Sequence, residues 1–152
     1  MTEEDTKELQ MSIKDAAELH GHLGPFLVIG VRVGKVANQI FEPKNKESRE
    51  LRAFVKVPFL PPFSCILDGI QSATHCTIGN QRLKVEKSRQ KITAQFETTD
   101  SNKALLISLN PKMVKELKDK MSKGTPSEQL AETIASTPEH QLFKFNVTTK
   151  HP

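Results

Sequence analysis

Between His20 and Gly34 the chain reads HGHLGPFLVIGVRVG, and no other segment restricts its fold as strongly. Pro25 suits a first helical position, because its ring presets the helical φ and the N–H it lacks would be unpaired there anyway. Behind it Phe26, Ile29, Val33, Val36, Ala37 and Ile40 recur at helical spacing until Phe41-Glu-Pro43. This predicts an apolar helix over 25–41, entered from a turn that Gly21 and Gly24 shape. Gly30 and Gly34 lie four apart on one side, which admits close backbone packing against a sheet or against a second copy of the helix. His20 and His22 stand one residue apart just before it. Imidazoles titrate near neutrality and ligate transition metals, so the pair is a candidate site, although both also fit capping or solvated roles.

A chain of 152 residues is long enough for one domain with a sizeable core. We read residues 1–152 as that domain, with 1–11 a flexible N-terminus. Two cysteines, Cys65 and Cys76, are too few for a secreted disulfide framework, and neither belongs to a CxxC pair, so reduced thiols are expected. The start MTEEDTKELQ is acidic where a signal peptide is basic and then apolar, and no apolar run is long enough to span a bilayer. A cytoplasmic protein without a membrane partner is the expectation. The net charge of +4 is mild because 22 basic residues are interspersed with 18 acidic ones. The densest basic stretch, Lys112 to Lys123, is broken by Glu116 and Asp119, which reads as a solvated helix face. With Trp and Tyr absent, a nucleic-acid partner is disfavoured.

Ser12 with Asp15 three residues on predicts a short helix over about 13–20, with Ala16 and Leu19 facing inward and Gly21 ending it. Leu51 to Val57 alternates as a strand, with Leu51, Ala53, Val55 and Val57 on one face. The FLPPF segment is then a rigid loop that aims Ser64, as an N-cap, at a helix beginning with Cys65 and running through CILDGIQSA. Residues 74–80 form a loop. Arg82 to Lys87, Lys91 to Thr98 and Ala104 to Leu109 read as strands. Asn110-Pro111 opens a helix to about Met121, and Ser127 caps another to about Ala135. Leu142 to Thr148 is a last strand in which Phe143, Phe145 and Val147 alternate. The fold class is therefore α+β: N-terminal helices on a mostly antiparallel central sheet, then C-terminal helices and an edge strand.

Cys65 is the second chemistry-bearing residue. A thiol in the first turn of a helix feels the positive end of the backbone dipole and should lose its proton more easily, while the plainer alternative is a small buried cysteine packed like alanine. Asp68 lies one turn further on. Cys76 is the weaker ligand candidate, because the helix between the two cysteines would carry it away unless the loop doubles back. His75 beside it could serve as a base or a ligand, or be a plain solvated loop residue. His20, His22 and Cys65 together would make a mixed nitrogen and sulfur set with one position open, suited to a zinc-like divalent transition metal.

These two segments resemble the formylmethanofuran dehydrogenase E-subunit family, whose members share an HGHxxP opening and a later C-x-x-D-G/A-I-Q…T-x-C-T-x-G-N segment. The counterparts here are HGHLGP and CILDGIQSATHCTIGN, and the likeness is strong over about 12–85. It implies an α+β domain that commonly forms intertwined homodimers. It further implies a metal or active site at the positions of His20, His22, Cys65 and Asp68. Many members carry a cysteine where Gly24 stands here and a glycine where His75 stands. The cysteine-rich zinc ribbon of longer members has no counterpart in these residues. The family name refers to a molybdenum or tungsten pterin enzyme, but neither molybdopterin nor an iron–sulfur cluster is expected in this chain, which has no CxxCxxC cluster.

Three functions follow as expectations. The first is a metal-binding protein, stand-alone or accessory to a larger redox or one-carbon enzyme complex, with a pocket that a homodimer could share between its chains. The second is a hydrolase or lyase acting on an unknown small molecule, in which a metal held by His22 and Cys65 activates water and His20 or Asp68 carries the proton. The third is a basic nucleic-acid-binding module, which rests on the isoelectric point of 9.1 alone.

Overall fold

The computed structural model describes residues 2–42 and 50–150. Helix α1 (Glu3–His20) starts well before the expected position, so residues 3–11 are helical rather than a flexible lead-in. The cause is a capping box: Thr2 accepts from the Asp5 amide at 3.0 Å, and the Asp5 carboxylate accepts from the Thr2 amide at 3.2 Å. Those bonds hold the Asp5 carboxyl below its ordinary range. Ser12 is thus an interior position. Leu9, Ile13 and Ala16 form the buried stripe, and Leu19, expected inside, falls one position off it and is 62% exposed. Gly21, at φ +84°, ends the helix as expected.

Helix α2 (Pro25–Ile40) is buried almost all round and forms the axis of the helical layer. It packs against α3 (Ile66–Thr74), α5 (Ser127–Ser136) and α1. At the α2–α3 crossing, a Cβ added to Gly30 would stand 2.2 Å from the Ile66 carbonyl oxygen, and one added to Gly34 would stand 2.7 Å from the Ala73 Cβ. The glycine face of α2 is therefore filled by α3 of the same chain and is not presented to a second copy. Arg32, 8% exposed, crosses from α2 to the end of α5, where its Nη1 donates to the Ile134 carbonyl at 2.9 Å and to the Thr137 carbonyl. Burial lowers its pKa from the ordinary guanidinium value, an effect that Glu139 opposes.

The sheet runs β2-β1-β3-β4-β5, with β1 (Leu51–Val57), β2 (Leu83–Lys87), β3 (Thr93–Thr98), β4 (Lys103–Leu109) and β5 (Phe143–Thr149). All neighbours are antiparallel except β1 and β2, whose parallel pairing needs the crossover that α3 supplies. One face is buried: Leu51, Ala53, Val55 and Val57 meet Ala94 and Phe96, then Leu105 and Ile107. On edge strand β5, Phe143 is buried, but Phe145 and Val147 continue the same face beyond the helices and are about half-exposed.

After β4 come α4 (Pro111–Ser122), α5 and the short α6 (Glu139–Leu142), which takes Leu142 out of the strand expected there. Asn110 caps α4 by accepting from the Lys112 amide at 3.0 Å. Met113 and Leu117 face inward while its lysines lie on or near the surface. None of the three serines expected as caps takes that role. Ser127 is the first residue of α5, preceded by Pro126, and Ser64 lies inside a 3-10 turn, Phe63–Cys65, that leads into α3 at Ile66. Among the described residues, no helix is long and apolar enough to cross a membrane.

Candidate functional site

The α1–α3 junction brings together two of the polar groups singled out above. His20 is the last residue of α1, and Asp68 lies in the first turn of α3. Their side chains meet across 48 positions of sequence: Nδ1 of His20 is 2.6 Å from Oδ2 of Asp68. The second carboxylate oxygen accepts from Gln71 Nε2 at 3.1 Å, and Gln71 Oε1 accepts from the Ile78 amide at 3.2 Å. Both Asp68 oxygens are therefore engaged, and the imidazole is held by a carboxylate that is itself held. With Nδ1 donating to Asp68, Nε2 of the neutral ring carries the lone pair available to a ligand or a proton. Gln71 is the glutamine of the second motif, three residues after Asp68 on one helix face.

Cys65 occupies the last position of the 3-10 turn, directly before α3, and is half-buried. The turn is anchored by Phe63, whose ring meets Phe26 of α2 edge to face at 5.5 Å between centroids. Burial pushes the Cys65 thiol above its ordinary pKa, and the Asp68 carboxylate pushes it further; a hydrogen bond with the cysteine's own backbone works in the other direction. This overturns the expectation of an easily ionised thiol. Loss of solvent and a nearby anion both act against the ionisation that a helix start favours.

His22 has different neighbours. It is exposed, and its ring lies 3.5 Å from where a Cβ on Gly24 would stand, at the N-terminus of α2. His75 is also exposed and terminates α3 in the left-handed conformation, φ +62°. That is a position a glycine occupies without strain, and the resemblance gives glycine in many relatives there. Cys76 is buried, with Sγ 3.1 Å from the Leu51 carbonyl oxygen, so it joins the helix end to β1.

The rest of the second motif is a connector. Asn80 accepts from the Thr77 and Arg82 amides at 3.0 Å and donates to the His75 carbonyl at 2.7 Å, while Thr77 Oγ1 accepts from the Asn80 amide. These bonds shape the loop that carries α3 into β2.

The structure thus brings His20 and Asp68 into contact and places Cys65 in the field of the same carboxylate. Among the described residues, however, no three His, Cys, Asp or Glu side chains converge closely enough to hold a metal ion. His20, His22 and Cys65 do not form a closed set as they stand.

Known proteins share this architecture. The tungsten formylmethanofuran dehydrogenase E-subunit (FmdE)-like protein of Syntrophus aciditrophicus has the same fold, with a TM-score of 0.61 at 16% identity, over 95% of this chain and 73% of that one. A probable S-adenosyl-L-methionine-binding protein of Archaeoglobus fulgidus is 33% identical over 72 residues. That match takes in 45% of this chain but 18% of the relative, so the chain spans less than a fifth of that protein's length. The family model described as FmdE, Molybdenum formylmethanofuran dehydrogenase operon, matches residues 19–148, from the residue before His20 to the end of the sheet, and the chain belongs to the FmdE family.

Proposed function

We propose that this FmdE domain binds a divalent, zinc-like transition metal at the α1–α3 junction, as a stand-alone protein or as an accessory to a larger one-carbon or redox enzyme. His20 is the principal donor, Cys65 the second and His22 the third. The observation that carries the reading is the 2.6 Å contact between His20 Nδ1 and Asp68. A carboxylate on one ring nitrogen, orienting the other toward a ligand, is the usual outer partner of a metal-binding histidine. Imidazole and thiol suit a borderline-soft ion in kind. In number they fall short, because fewer than three donors converge among the described residues. Water, a small molecule or another polypeptide would supply the remaining positions.

Elemental analysis of untagged protein, followed by zinc titration, tests this. Stoichiometric metal is expected. His20→Ala and Cys65→Ser should each remove most of it, Asp68→Asn should weaken binding about 10–100-fold through the lost orienting bond, and His22→Ala should cost less. Metal content unchanged in both His20→Ala and Cys65→Ser overturns the proposal. The same His20–Asp68 contact is also the arrangement of a base and its orienting carboxylate, which favours a hydrolase or lyase as the second reading. Turnover that requires the metal and is lost in both His20→Ala and Asp68→Asn would favour that second reading over binding alone.

A further inference from the structure

The outward face of the sheet holds a different kind of site, remote in character from the histidine junction. Along β1, Phe54 and Lys56 point away from the buried face. The strand register sets Phe54 beside Gln95 of β3 and Gln95 beside Leu106 of β4, so these three form one row across the sheet. Lys56, flanked by Glu86 and Thr93, forms the next row. Together with the β2–β3 connection they line a concavity of about 900 Å³. Ser88 pins that connection, donating from its amide to the Val57 carbonyl at 3.1 Å and from its hydroxyl to the Lys91 carbonyl at 2.5 Å. The turn so formed carries Lys87, Arg89 and Lys91 on the rim.

Lys56, Lys87, Arg89 and Lys91 face a single acid, Glu86, and none of the four makes an ion pair among the described residues. Four basic residues against one acid give the groove a net charge of +3. Unpaired cations around a concavity are ready to meet an anion. The other row is apolar at its two ends: Leu106 is 41% exposed, and Phe54 lies under the Lys56 ammonium, 5.8 Å from its ring centroid. Two positions along a strand separate the rows, about 7 Å. The groove is thus bipartite, with a cationic end and a flat apolar end, and Gln95 offers an amide donor and acceptor at the latter.

We propose that this groove binds a phosphorylated small molecule of mononucleotide size, with the phosphate among Lys56, Lys87, Arg89 and Lys91 and a planar ring over Phe54 and Leu106. Its volume falls within the range of small-molecule sites, about 300–1,000 Å³. Phe54 is its one aromatic lining residue among those described, whereas sequence-tolerant strand binding uses a succession of stacking platforms.

Calorimetric titration at physiological salt with adenosine 5′-monophosphate, inorganic phosphate and a short single-stranded RNA tests the proposal. The nucleotide should bind at least about tenfold tighter than phosphate, and Arg89→Glu combined with Lys91→Glu should weaken it by about tenfold or more. Leu106→Ser should weaken the nucleotide but leave phosphate unchanged. These residues are exposed, and an unchanged thermal midpoint certifies the fold of each variant. His20→Ala should bind the nucleotide as the parent does, which separates this site from the histidine junction. Absence of saturable nucleotide binding, equal affinity for phosphate, tighter binding of the RNA, or loss of nucleotide binding in His20→Ala would each overturn it.

Discussion

Gly30 and Gly69 face each other where α2 and α3 cross, each lying against the backbone of the opposite helix. A Cβ on Gly69 would stand 2.2 Å from the Leu27 carbonyl oxygen and 2.9 Å from the Gly30 Cα. The helices meet so closely that neither backbone has a flexible side chain to move aside. Gly30→Ala and Gly69→Ala should therefore each destabilise the protein by about 1–3 kcal/mol or more, lowering the midpoint by several degrees. Denaturant unfolding measures this, and a change within about 0.5 kcal/mol, the usual size of a surface substitution, would refute the crossing.

Thiol reactivity reports on the environment of Cys65. Because its pKa is raised, the thiolate fraction at neutral pH is smaller than that of a free cysteine, and alkylation should be slower. The rate should climb as pH rises through and beyond the ordinary thiol range. Asp68→Asn removes one raising influence and should speed the reaction, while burial, the larger one, keeps it slower than a free thiol. Cys76, fully enclosed beneath β1, should react only when the protein unfolds. A Cys65 that outpaces free cysteine at neutral pH would contradict this account.

Position 24 offers a gain-of-function experiment. Gly24 has extended backbone, and an added Cβ meets nothing closer than the His22 ring at 3.5 Å, ordinary van der Waals contact. Gly24→Cys, which restores the residue that the family resemblance gives many members, should fold normally and set a thiol beside His22. If the junction binds zinc, its affinity should rise by about tenfold or more from the extra soft ligand. A titration curve unchanged by the new thiol would detach His22 from the site.

Arg32 ties α2 to the end of α5 through two backbone carbonyls. Arg32→Leu fills similar space but leaves those acceptors without the guanidinium, at an expected cost of about 2–3 kcal/mol. Hydrogen exchange should quicken over residues 134–137 first. Lysine, a point charge without the planar fork, should recover only part of the loss. Equal protection in Arg32→Leu and the parent would show that the carbonyls find other partners.

Much of the fold is legible from pattern. The bounds of α2 and β1, the alternation that buries Leu51 through Val57, and the order of helices and strands all follow from apolar spacing and proline placement. The misreadings are local contests. Thr2 and Asp5 offer a better cap than Ser12, and Ser64 and Ser127 are displaced by turns that prolines and an aromatic contact impose. At the site, His20, His22, Cys65 and Asp68 stand out by residue type, and the two motifs place the chain near its family.

What residue type and spacing do not contain is convergence. That His20 meets Asp68, that Cys65 sits half-buried beside the same carboxylate, and that Lys56 joins the basic turn of Lys87 to Lys91 depend on how helices cross and strands register. Periodicities of 3.6 and 2 are properties of a short stretch of backbone, and a single sequence displays them directly. Distances between groups dozens of residues apart, and the solvent loss that moves a thiol's pKa, arise only when those stretches pack.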